Sequence, residues 1–161
     1  MILATVGTQL PFDRLIGALD ELAPKLGVKV VAQIGAQGRE PVNIEWRRTM
    51  EPRQFEALFL EASVIVAHAG IGTVLAAKRH RKPIIIVPRR AAQGEHRNDH
   101  QMATARQLGG SPGIYVAHDI DELGGLLSRT DLERPSPEAG RSIGALHSAL
   151  RNFIQTGVAV S

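Results

Sequence analysis

Three short stretches of the chain gather groups suited to an anionic ligand. His68-Ala69-Gly70-Ile71-Gly72-Thr73 follows an apolar run and opens a helical pattern. Amides at such a helix start can face phosphate oxygens under the positive end of the helix dipole. Gly70 and Gly72 would let backbone come close, and Thr73 adds a hydroxyl. The same pattern also serves many α/β proteins as a plain strand-to-helix turn. It is a poor dinucleotide fingerprint, because Leu75 stands where a third Gly or Ala belongs, and no Gly-Lys-Ser/Thr follows to make a P-loop.

Gly94-Glu95-His96-Arg97-Asn98-Asp99-His100-Gln101 is the second stretch, a loop dense in donors, acceptors and charge that runs into a helix. His96 and His100 are four residues apart, a spacing that can bind zinc, but no Glu follows His96 as it does in metalloprotease helices, so no metal is expected. Asp99 reads more simply as a helix cap than as a general base. The third stretch, Gly7-Thr8-Gln9, ends the first apolar run and can add phosphate contacts. No Ser-His-Asp set or carboxylate pair is readable from spacing, and His96 and His100 are only weak catalytic candidates.

The elements that must position these loops alternate between strand and helix. Ile2–Val6, Val28–Ile34, Val42–Trp46, Ser63–Ala67, Ile84–Val87 and Ile114–Val116 read as strands. Phe12–Leu26, Gln54–Glu61 behind Pro52, Val74–Arg79, Asn98–Leu108, Asp119–Leu127 and Glu138–Phe153 read as helices, with Asn98 or Asp99 capping the fourth. Such alternation implies parallel βαβ units, a Rossmann-like sheet with helices on both faces. Ligands of such sheets bind beyond the carboxyl ends of the strands, which is where the three stretches fall.

Composition agrees. The 161 residues suit a single domain, 1–161, and are 43% hydrophobic but only 4% aromatic, so Val, Ile, Leu and Ala must build the core. The absence of cysteine removes disulfides, thiolate metal sites and a Cys nucleophile. A net charge of +3 is too small to argue for nucleic acid. No basic n-region or stretch of about 18 apolar residues occurs, so a soluble, cytoplasmic chain is expected. Lys78, Arg79, Arg81 and Lys82 form a basic cluster that could favour anionic headgroups.

Taken together and in order, Val6-Gly7-Thr8-Gln9 with Pro11-Phe12-Asp13, Ala67-His68-Ala69-Gly70-x-Gly72-Thr73, Lys82-Pro83, and Glu95-His96 with Asp99-His100-Gln101 resemble the C-terminal domain of family 28 glycosyltransferases. The likeness covers roughly residues 1–127 and is greatest to stand-alone members. These are the small catalytic subunit of the dolichol-linked N-acetylglucosaminyltransferase and bacterial exopolysaccharide transferase subunits. The resemblance implies one half of a GT-B enzyme, holding a UDP-sugar as substrate with no bound cofactor. It implies the diphosphate at Gly70, Gly72 and Thr73, sugar hydroxyls at Gln101 with His100 beside it, and uracil near Thr49–Glu51, around Met50. Gly7, Thr8, Gln9, His68, Glu95 and Asp99 complete the expected donor site. A membrane-associated subunit would bring the lipid-linked acceptor and hold this chain at the membrane periphery.

One departure stands out. Where relatives carry Glu or Asp three residues after the Thr, often touching the ribose, this chain has Ala76. Two other readings stay open: an NADP-type module, with Arg89-Arg90 on a 2′-phosphate, and a scaffold that has lost its ligand. Arg89, Arg90 and Arg97 also make an acidic donor sugar attractive, since guanidinium grips carboxylate bidentately.

Overall fold

The computed structural model describes residues 1–135; the expected closing helix, 138–153, lies outside them. Six strands, β1 (Ile2–Thr5), β2 (Val30–Gln33), β3 (Glu45–Arg47), β4 (Val64–His68), β5 (Ile84–Val87) and β6 (Ile114–Val116), form one sheet in the order β3-β2-β1-β4-β5-β6. Every pairing is parallel. β1, β2 and β5 are short, rich in aliphatic residues and buried along their whole length, as strands covered on both sides require.

Alternate residues send their side chains to opposite faces. Ile2, Ala4, Val6, Val30, Ala32, Val66, Ile85 and Val87 pack with Leu15, Ile16 and Leu19 of α1 (Asp13–Leu26) and Leu123 of α5 (Glu122–Leu127). Leu3, Val31, Ile65, Ile84 and Ile86 pack with Phe59 of α2 (Pro52–Glu61), Val74 and Ala77 of α3 (Ile71–Arg79), and Ala105 and Leu108 of α4 (His100–Leu108). The expected sheet with helices on both faces is therefore present. Its order reverses direction between β1 and β4, so the loops after those strands splay apart and open a crevice between them.

Some boundaries differ from the sequence reading, for local reasons. β3 starts at Glu45, not Val42, because the Asp20 carboxylate of α1 takes the amides of Val42 at 3.0 Å and Asn43 at 2.5 Å, holding that segment off the sheet. α3 already begins at Ile71, so Gly72 and Thr73 belong to its first turn. α4 begins at His100, whose amide is capped by Asn98 Oδ1 at 3.3 Å; Asp99 occupies the cap position but turns its carboxylate to the Ala91 amide, 3.0 Å away, at the start of a 3-10 turn over Ala91–Gln93.

The basic cluster lies at the far end of α3, across the sheet from the carboxyl edge. Lys82 Nζ is spent on the C-terminal carbonyls of α2, donating to Leu60 O and, at 2.8 Å, to Ala62 O. Arg79 and Arg81 remain exposed there. No helix among the described residues is long and apolar enough to cross a membrane.

Candidate functional site

A cavity of about 700 Å³ opens at the carboxyl edge of the sheet, between the loops that follow β1, β4 and β5. Its wall includes Gly7, Thr8, Gln9, His68, Gly70, Gly72, Thr73, His96, His100 and Gln101, so ten of the residues singled out in the sequence meet in one place. Met50, Glu95 and Asp99 are not part of that wall. Met50 packs against the core beneath α2 and α3, and Glu95 points away onto Arg14.

The floor is built around His68. Its ring sits against both glycine turns: a Cβ at Gly70 would fall 2.3 Å from Nε2, and one at Gly7 would fall 2.8 Å from Cε1. Gly7 also needs its positive φ of 78°, and its amide donates to Thr5 Oγ1 at 3.3 Å, while Thr5 Oγ1 donates to Gln33 Oε1 at 2.7 Å. These glycines thus make room for an imidazole. Burial, with the nearby Arg89 charge, pushes the His68 pKa down to about 4, so the ring is neutral at physiological pH. Nδ1 is buried without a hydrogen bond of acceptable geometry, although the adjacent Thr5 backbone offsets part of the shift.

Gly72 differs from Gly70. A Cβ there would meet nothing within 4 Å, so it faces open space at the cavity wall. No side chain caps α3, and its first turn presents amides that have no partner within the helix. Opposite it, Gln101 Oε1 accepts the Arg89 amide at 3.1 Å, which fixes the amide orientation and leaves its NH₂ to donate elsewhere. His96 Nδ1 lies 3.1 Å from Asn98 Oδ1, and His96 precedes the helix that His100 begins, so the two rings do not share a helix face.

The arginines do not play the parts their sequence position suggested. Arg89 is 3% exposed and donates through Nη2 to Val6 O and Leu10 O, both at 2.7 Å, and through Nη1 to Glu95 O at 3.3 Å. Arg90 Nη2 donates to His118 O at 2.8 Å and Asp119 Oδ2 at 3.1 Å. Loop carbonyls turned away from water need internal donors, and the guanidiniums supply them. Their Nη2 groups are already engaged by protein oxygens, which counts against the Arg89-Arg90 pair as the grip for a 2′-phosphate.

The sequence reading gave no role to Leu10, Leu75, Ala103, Thr104 and Gln107, which also line the cavity. Thr104 and Gln107 continue the stripe begun by His100 at i+4 and i+7, a helical signal visible in the sequence. Ala76 packs against the core instead, so α3 turns Ile71, Gly72, Thr73 and Leu75 to the cavity.

An all-parallel sheet whose three crest loops enclose a cavity at an uncapped helix start defines a Rossmann-like α/β domain with its open site at the strand ends. The chain belongs to the glycosyltransferase family 28 C-terminal domain family, whose model matches residues 1–136. It is 30% identical over 102 residues to the UDP-N-acetylglucosamine transferase subunit ALG13 of Eremothecium gossypii, an alignment that covers 63% of this chain and 46% of that protein. The chain thus spans about half the length of this relative. Its fold resembles the solution structure of ALG13, with TM-score 0.60 and 16% identity over 96% of this chain and 95% of the other. It also resembles the Streptomyces sp. SF2575 glycosyltransferase SsfS6, solved with thymidine diphosphate, with TM-score 0.57 and 21% identity over 96% of this chain and 37% of that one. The fold is that of one half of a GT-B glycosyltransferase.

Proposed function

We propose that this chain is the donor-binding catalytic subunit of a split GT-B glycosyltransferase, moving a hexosyl group from a UDP-sugar to a lipid-linked acceptor in polysaccharide or glycolipid synthesis. The observation that carries the reading is the uncapped first turn of α3 opening on the crest cavity. In this reading the diphosphate lies against the Ile71–Thr73 amides, close to Gly7 and neutral His68. The sugar extends towards Gln101 and His100, and the nucleoside follows the other side of the crest. Departure of UDP leaves negative charge where the helix dipole and the amides are already aimed, so no bound metal or cofactor takes part.

The acceptor belongs to the other half of the cleft. A GT-B cleft needs two α/β domains, and residues 1–135 make one. A membrane-associated acceptor-binding subunit would supply the second and keep this chain at the cytoplasmic membrane periphery. His96 and His100 line this half of the cleft and are its own candidates for proton transfer. The relative ALG13 is itself named a subunit, which supports such an arrangement here.

The test combines binding and turnover. A thermal-shift series with UDP, UDP-N-acetylglucosamine, UDP-glucuronic acid and NADP should show stabilisation by the uridine nucleotides and not by NADP, since a ligand selective for the folded state raises its stability by mass action. Transfer from labelled UDP-sugar to membrane lipid should require a co-expressed partner. Robust turnover by this chain alone overturns the split-enzyme reading, and stabilisation by no nucleotide favours a scaffold.

A further inference from the structure

The loop of residues 88–99 has little regular structure, yet it must place His96 and deliver Gln101 to the cavity. An ion pair outside the cavity helps to hold it. Arg14, from α1, reaches over the sheet edge and grips the Glu95 carboxylate bidentately, Nε to Oε1 at 2.7 Å and Nη2 to Oε2 at 3.0 Å, while Nη2 also donates to Pro88 O at 3.1 Å. Glu95 Oε2 accepts in addition the Arg90 amide at 2.9 Å. The side chains are only 18% and 11% exposed, so this is a largely desolvated pair and not one of the weak surface pairs.

The pair belongs to a larger clasp. The Phe12 ring carries the Arg14 guanidinium at 5.2 Å and the Arg89 guanidinium at 5.1 Å from its centroid. Arg89 in turn ties Val6 O and Leu10 O, on the loop after β1, to Glu95 O, on the loop after β5. The two loops that wall the cavity are therefore fastened to each other through Phe12, and Arg14–Glu95 closes the far side.

We propose that Arg14 and Glu95 are positioning residues for the sugar end of the donor site, fixing the loop that carries His96 and leads to Gln101 without touching the donor. This rests on the donor-site reading above. The diphosphate end is built on β4, α3 and the loop after β1, and that loop is tied by Arg89, not by the Arg14–Glu95 pair, whose other partners are Pro88 O and the Arg90 amide. Loosening the Arg14–Glu95 pair should therefore weaken recognition of the sugar and spare that of UDP.

The experiment compares Glu95→Gln, Arg14→Gln and the charge-keeping Arg14→Lys in the full chain, by calorimetry with UDP and with UDP-N-acetylglucosamine and by amide hydrogen exchange. The first two variants should lose about tenfold in nucleotide-sugar affinity, the scale of one charge-assisted hydrogen bond, with UDP affinity unchanged. Amides of residues 89–98 should exchange faster while those of β1 and β4 keep their protection. Arg14→Lys, which cannot form the fork, should fall between. Equal losses for UDP and nucleotide sugar, or unchanged loop exchange, overturn the proposal. If the wild-type chain binds neither ligand, the donor reading fails and this proposal with it, whereas binding of UDP alone by wild type and variants alike overturns only the positioning role.

Discussion

Replacing Gly70 and Gly72 separately by alanine should give opposite results, although the two glycines are one residue apart in the same turn. A methyl group on Gly70 would fall 2.3 Å from His68 Nε2 and 3.0 Å from Cδ2, well inside contact distance, and the ring is also close to Gly7. Forcing atoms into such a site costs about 1–3 kcal/mol. A methyl on Gly72 meets nothing within 4 Å and replaces glycine in a helix, a change worth up to about 1 kcal/mol of added stability. For a chain of this size each kcal/mol moves the melting temperature by about 2–4 °C. Urea and thermal unfolding followed by circular dichroism should therefore show Gly70→Ala destabilised by several degrees and Gly72→Ala level with or above wild type. Adding His68→Ala to Gly70→Ala should recover part of the loss, a coupling of about 1 kcal/mol. Equal stability of the two single variants would refute the argument that the first glycine serves the imidazole.

Acid should expose the same buried ring. The His68 pKa of about 4 in the fold lies below 6.5, so the unfolded chain takes up a proton first as pH falls. The stability contributed by the neutral ring is full above about pH 6.5 and is lost progressively towards pH 4, amounting to about 2 kcal/mol by pH 5. His68→Gln should flatten that part of the curve of unfolding free energy against pH, and an unchanged slope would contradict the assignment. Gln101→Ala should weaken nucleotide-sugar binding by about 1 kcal/mol and leave UDP affinity as it was; calorimetry showing equal losses would move Gln101 away from the sugar. Lys82→Met should cost about 1 kcal/mol of stability through the freed α2 carbonyls, with no change in UDP affinity, because it lies across the sheet from the cavity.

Much of this architecture can be read from the chain because local chemistry decides it. Ile84-Ile85-Ile86-Val87 can only be a strand buried on both faces, and the glycine turns mark the crest by the backbone freedom they need. Contacts between residues distant in sequence are less legible. Arg89 and Arg90 look like ligand-binding cations until the Val6, Leu10 and His118 carbonyls that occupy them are seen. Glu95 looks like a donor contact until Arg14, 81 residues away, claims it. Val42 has the composition of a strand residue, but its amide belongs to Asp20 and the residue is 88% exposed. In each case a buried or competing hydrogen-bond partner, invisible to pattern, decides where the side chain goes.

The account turns on the crest cavity being the nucleotide-sugar site, and amide chemical shifts during a UDP titration test it most directly. The described residues also border another open cavity, of about 750 Å³, between the end of α4 and β6, around Gly109, Ser111 and Tyr115, which serves as an internal control. UDP should shift the amides of Gly7–Gln9 and Ile71–Thr73 together, with smaller changes at His100 and Gln101. It should leave residues 109–115 unmoved. Shifts confined to residues 109–115, or none at millimolar UDP, would contradict the assignment.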